Sequence, residues 1–225
     1  MSLLVIAPHM DDEVLGCGGV LQRFDKPNVL FCTLSREDRR WDQAAAEYQA
    51  YEGATRMAEM RKASTLLGYQ FAGFTYETHT LDEIPTSTLL TMIENKVNVE
   101  ELELVLAPGP SHDQDHEAIR KAVKALMRPH RYAGSVLEYW TWGSPSPYDP
   151  QVVVPLSLDE VDRKLRALEQ YETQLAPGDD RYPYSVTSQD AFMVAIGRTL
   201  HHDDAEVFTP VRLVPNKTTA RFFDA

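Results

Sequence analysis

The chain has 225 residues, of which 43% are hydrophobic and 25% charged, the make-up of a soluble globular protein with one large domain or one domain and a small appendage. Its net charge of −12, from 22 basic against 34 acidic residues, argues against nucleic acid or an anionic membrane surface as the main partner. Two cysteines, Cys17 and Cys32, are too few for a disulfide framework or a cysteine zinc site and read as buried thiols.

Strand-like and helix-like segments alternate along the chain. "SLLVIAP" (2–8) and "NVLFCTL" (28–34) are short apolar runs, as buried parallel strands tend to be. Between them, 12–25 carry Val14, Leu15, Val20, Leu21 and Phe24 and predict a helix despite three glycines. A longer helix is expected over 43–67, with Gly68 as its stop signal. Then follow a strand near 73–77, a helix over 86–98 and a buried strand at 102–108. The next helix, 115–127, places Ala118, Ile119, Ala122, Val123 and Leu126 on one face. Strands are expected at 135–141, 151–156 and 206–214, with a helix near 158–173. "GSPSPYDP" (143–150) reads as a surface loop rather than a linker. The alternation predicts a doubly wound α/β sandwich, mostly parallel, with helices on both faces. No stretch approaches the roughly 20 apolar residues of a membrane span. The first residues lack the basic region of a leader, so the expected location is the cytoplasm.

In such sheets, ligands bind at the carboxyl ends of the strands. Two strands end in similar loops, "LLVIAPHMDDE" and "LELVLAPGPSHDQDHE". His9, Asp12 and His116 together offer two imidazoles and one carboxylate, the ligand set of an open catalytic zinc site. A divalent cation also explains why Asp11, Asp12 and Glu13 are crowded at the lip of a buried strand. Asp11 need not be a ligand, and a free carboxylate beside an activated water is a natural general base. Iron(II) suits the same donors.

These residues resemble a family. "PHMDDE" (8–13) is similar to the Pro-His-x-Asp-Asp-Glu signature of the LmbE-like, or PIG-L, metal-dependent deacetylases, and "QDH" (114–116) to their later x-Asp-His motif. "RMAEMRKASTLLG" (56–68) and "AEVF" (205–208) resemble further family segments. The resemblance implies a Rossmann-like fold and a zinc hydrolase that removes acetyl groups from N-acetylglucosamine-type glycoconjugates. It implies His9, Asp12 and His116 as metal ligands and Asp11 as general base. Most of the likeness lies within 1–127, and 128–225 are expected to add strands and a helix to the same single domain. The family often carries a histidine three residues before the last ligand, where it steadies the oxyanion. Here Asp113 holds that position, so His112, one residue upstream, becomes the candidate, with Asp113 as the alternative.

Several patterns have plainer readings. "GCGG" (16–19) lacks the dinucleotide spacing and points to close helix–sheet packing. Arg56 and Glu59 sit at the spacing of a surface ion pair, with a substrate contact for Arg56 as the other reading. "HHDD" (201–204) reads as a polar turn, and Trp140 and Trp142 as sheet residues unless one floors a sugar pocket. A phosphoryl-accepting receiver domain would also place acids after its first strand. It needs an acceptor aspartate at the end of a third strand, yet "AYEGATRMAEM" (50–60) has none. A metal-binding sugar receptor without catalysis would not need Asp11.

Overall fold

Five apolar residues in a row build β1 (Leu3–Ala7), and all five are buried because helices cover both of its faces. The computed structural model describes residues 3–34, 37–42, 47–128, 130–144, 151–175 and 185–224, with 37–42 and 47–52 described by their backbone alone. β1 lies between β2 (Asn28–Phe31) and β6 (Leu104–Pro108), parallel to both. β5 (Gln70–Gly73) extends the sheet beyond β2, and β7 (Ser135–Tyr139) beyond β6, again in parallel. β9 (Ala205–Arg212) then pairs antiparallel with β7, and β8 (Val152–Pro155) antiparallel with β9. The resulting seven-stranded order is β5-β2-β1-β6-β7-β9-β8.

Alternation along β1 divides the core in two. Leu3, Val5 and Ala7 join the apolar residues of α1 (Asp12–Leu21), α2 (Gly53–Leu67) and α5 (Leu158–Leu168). Leu4 and Ile6 join those of α3 (Thr86–Lys96) and α4 (Gln114–Leu126) on the other face. The expected sandwich is therefore present, with a mixed edge at β9 and β8. The chain winds outward from β1 through β2 to β5, then returns to start again at β6. This reversal sets the carboxyl ends of β1 and β6 side by side at a topological switch point, where such sheets open a crevice.

Some expected elements differ. Residues 47–52 belong not to a helix but to β4 (Glu47–Glu52), which forms a hairpin with β3 (Glu37–Asp42), pairing Glu37 with Glu52 and Asp42 with Glu47. The hairpin gives these backbone groups partners across strands, and the helix begins only at Gly53. Residues 43–46 and 145–150 lie outside the described residues. The strand expected at 73–77 is β5 at 70–73; beyond it Thr75 makes only an isolated bridge to Thr33. Gly68, at φ 74, ends α2 as expected, its N–H donating to the Ser64 carbonyl. Two helices were not anticipated, α6 (Val186–Thr199) and α7 (Lys217–Phe223). α6 buries only Gln189, Met193 and Gly197, a stripe too polar and too narrow to register as a hydrophobic period.

The glycine run in α1 serves packing. A Cβ at Gly16 would collide with the Tyr139 ring, and one at Gly19 would lie 2.6 Å from Leu156. The helix breaks at Cys17 (φ −152, ψ 19), which frees backbone groups in the interior. Glu206 of β9 accepts from the Gly19 and Val20 N–H groups at 2.7 and 3.0 Å. Lys164 of α5 donates to the Leu15 carbonyl at 2.9 Å and to Glu206 at 2.6 Å. Lys164 is wholly buried. Removing one charge of such a pair strands the other away from water. Lys164→Met is therefore expected to cost about 3–5 kcal/mol of stability in urea unfolding; an unchanged midpoint would show that the pair does not hold the broken helix.

Candidate metal centre

The β1 end is fixed before any side chain reaches the site. The Pro8 carbonyl accepts from the Thr33 N–H at 3.1 Å and its hydroxyl at 2.8 Å. The Asp11 carbonyl then accepts from the Val14 and Leu15 N–H groups, both at 3.0 Å, and starts α1. Asp11 itself stands at φ 151, a backbone conformation that a side chain seldom adopts and that surrounding contacts must hold. Those contacts are present. Glu13 accepts the Asp11 N–H at 3.1 Å, and Arg56 from α2 donates to the Met10 carbonyl at 3.1 Å. The Arg56 guanidinium also lies 3.4 Å from Asp11 Oδ2.

The facing loop follows β6. Asp113 caps α4, its Oδ1 accepting from the Asp115 and His116 N–H groups at 2.8 and 3.2 Å. The cap turns His116 inward, where its Nε2 stands 3.1 Å from Asp12 Oδ2. His9 Nδ1 is 3.7 Å from the same oxygen, and the two imidazole centroids are 5.2 Å apart. One ligand atom each from His9, Asp12 and His116 falls within 4.8 Å of the others, and all three residues are buried.

This donor set fits a divalent ion. Behind His9, its Nε2 meets Asp115 Oδ2 at 2.9 Å, leaving Nδ1 toward Asp12. A carboxylate gripping the far nitrogen of an imidazole is the usual support of a metal-bound histidine. His116 Nδ1 is buried with no hydrogen-bond partner, so protein contacts alone do not satisfy the ring. A second possible group, His9 with Asp113 and Asp115, is less suited. Asp115 is already engaged by His9 and by the His79 and Leu81 N–H groups, at 2.6 and 2.9 Å.

Charge balance follows the same geometry. Burial works against a charged His9, but the hydrogen bond to Asp115 and the charges of Asp12 and Asp113 outweigh it and push its pKa up to about 9. Burial opposes the Asp12 charge as well, and the His116 and His9 partners prevail, holding the carboxyl below its ordinary range. Glu13 is the reverse. Burial raises it to about 7 despite hydrogen bonds from the Tyr171 and Tyr69 hydroxyls at 2.6 and 2.8 Å.

The remaining expected site residues divide. Asp11 lies beside the group without belonging to it, and its side chain is 14% exposed. Arg56 is buried against Met10 and Asp11 and is not the surface partner of Glu59, which instead accepts from the Thr173 N–H and hydroxyl at 2.9 and 2.6 Å. His112 is exposed, its backbone N–H donating to the Gly143 carbonyl at 2.9 Å. The cap at Asp113 aims the chain inward only from residue 115 onward. Trp140, just past the end of β7, stacks on Phe192 at 4.0 Å between centroids. His201, His202 and Asp203 form the expected exposed turn. Two residues beside the group were not singled out from the sequence. Asp115 sits inside the "QDH" motif, whereas His79 lies on the loop after β5 with no local pattern to mark it.

The PIG-L family, described as GlcNAc-PI de-N-acetylase, matches residues 4–127, which hold both strand-end loops, and the chain belongs to that family. No curated protein matches. Among solved structures, the conserved protein TT1542 of Thermus thermophilus is 25% identical, with a TM-score of 0.72 over 96% of this chain and 98% of that one. The N,N'-diacetylchitobiose deacetylase of Pyrococcus horikoshii is 18% identical, with a TM-score of 0.71 over 97% and 88%. GalB, the 4-carboxy-2-hydroxymuconate hydratase of Pseudomonas putida, is 17% identical, with a TM-score of 0.64 over 96% and 99%. At 17 and 18% the likeness shows the fold alone, and that fold carries more than one reaction. Among the described residues, no helix is long and apolar enough to cross a membrane.

Two expectations follow. His9→Ala should remove most of a bound divalent ion, by elemental analysis, while circular dichroism is retained; full occupancy would rule out this centre. The ion must also displace the His9 proton. Apparent metal affinity of the metal-free protein should therefore climb as pH rises toward about 9, read by calorimetry in buffers of different ionisation heat. A flat profile would place the ion elsewhere.

Proposed function

We propose that the chain is a zinc-dependent hydrolase that removes the acetyl group from an N-acetylated amino sugar, in a glycoconjugate of the N-acetylglucosamine type. One observation carries the reading. His9, Asp12 and His116 form a closed ligand group, with Asp115 bracing it from behind and the Asp11 carboxylate beside it but outside it. A ligand group alone suits a receptor; a carboxylate held beside that group and outside it suits hydrolysis. Membership of a family described as a de-N-acetylase gives the reaction class, and a deacetylase of an N-acetylated sugar shares the fold.

When bound, a divalent ion supplies Lewis acidity, polarising a carbonyl and making water acidic near neutral pH. The chain's own residues do the rest. Asp11 takes a proton from the attacking water as its oxygen bonds to the acetamide carbon. The C–N bond then breaks, and Asp11 returns that proton to the leaving nitrogen, so acetate and a free amine result. Arg56 and Glu13 hold Asp11 in its strained backbone conformation, which keeps the carboxylate beside the ligand group without joining it. In this reading residues 1–225 act as a single cytoplasmic domain on a small-molecule substrate.

Screening metal-loaded protein for acetate release over N-acetylglucosamine conjugates tests the reading; no release from any of them would overturn it. Asp11→Asn should keep its zinc and lose roughly 10²–10⁴-fold in turnover. Asp12→Asn should lose metal first and regain part of its activity in excess zinc. The opposite pattern would exchange the two roles.

A further inference from the structure

Position 113 carries a carboxylate, and that carboxylate faces an imidazole from a different part of the chain. Asp113 Oδ1 is used in capping α4, while its Oδ2 lies 3.7 Å from His79 Nδ1. The His79 ring also stands against His9, with centroids 5.8 Å apart. With Nδ1 toward Asp113, Nε2 makes no hydrogen bond among the described residues, and the side chain is 47% exposed. His79 thus presents its Nε2 beside the ligand group, open to an incoming molecule.

The loop bearing it is firmly set. It leaves β5 with the Phe74 N–H on the Phe31 carbonyl at 3.0 Å, and it re-enters the core at Leu81, which is wholly buried. Between these points, the His79 N–H and Leu81 N–H both bind Asp115, the carboxylate that braces His9. His79 stands at φ 63, in the left-handed region. Such a conformation persists at a non-glycine residue where surrounding contacts over-determine it, and these sites cluster where chemistry is done. His112, by contrast, is exposed, and among the described residues its hydrogen bond is from the backbone N–H to the Gly143 carbonyl.

Resting on the deacetylase reading, we infer that His79 is a catalytic residue that acts as the imidazolium: its Nδ1–H is directed to Asp113, which orients the ring, and its Nε2–H donates to the acetamide oxygen as negative charge builds on it. A donor aimed at developing charge contributes most in the transition state, so its loss lowers kcat with little change in KM.

The test uses zinc-loaded full-length protein. His79→Asn accepts the left-handed backbone but is too short to reach the oxygen. It should lose on the order of 100-fold in kcat with zinc content and KM unchanged, and His79→Gln should recover part of the loss. Affinity for methylphosphonate, a tetrahedral anion resembling the attacked acetyl group, should fall in His79→Asn by a similar factor, whereas affinity for acetate should fall less. Wild-type turnover in His79→Asn, or equal weakening of both anions, would overturn the assignment. If the wild-type protein releases no acetate, the functional reading falls instead, and unchanged methylphosphonate affinity in His79→Asn would overturn the contact by itself.

Discussion

The carboxylate of Asp115 joins the parts of the site that sequence keeps far apart. It takes the His9 ring from the end of β1 and two backbone N–H groups from the segment after β5, and it does so from the first turn of α4. A buried carboxylate is tolerable only when its lone pairs are occupied, and here three donors occupy them. The same bonds that satisfy Asp115 fix the tautomer of His9 and the position of the loop before Leu81. Ligand geometry and loop geometry are therefore one constraint. The Asp115 carboxyl is held below its ordinary range, burial being outweighed by the His9 contact and by both backbone donors.

The crowding of acids at the end of β1 is resolved by giving each a different environment. Asp12 faces two imidazoles. Asp11 turns toward a guanidinium. Glu13 points back into the core to two tyrosine hydroxyls, where burial favours its neutral form. The three adjacent carboxyl groups thus each have partners of their own, and Asp11 is the least buried of them.

Much of this was legible in the sequence for physical reasons that apply locally. β1 and β6 are continuous apolar runs because both faces are covered, and α4 shows its core face in the spacing of Ala118, Ile119, Ala122, Val123 and Leu126. His9, Asp12 and His116 could be found because each sits just past such a strand. The hairpin of β3 and β4 replaced part of an expected helix, since pairing between strands leaves no helical period to read. Arg56 reads as half of a surface pair because a spacing of three marks neighbours on a helix but not which face is buried. His79 was invisible. Its place depends on a hydrogen bond to a residue 36 positions away, and no local pattern encodes that.

The break in α1 bears on how the chain divides. The stretch that matches the family ends at residue 127, yet the groups freed at Cys17 are completed by Lys164 and Glu206, far beyond it. Tyr171, which grips Glu13 one residue from Asp12, also comes from that later part. The family-matching half therefore carries the candidate site residues without all the contacts that seat them. Cut at its boundary, it would leave two amides and a carbonyl of its first helix without these partners and strip α5 and β9 from the face they cover. Evolutionary signature and folding unit do not coincide here: the signature is concentrated in the first half, whereas the rigidity that makes it a site is supplied by the second.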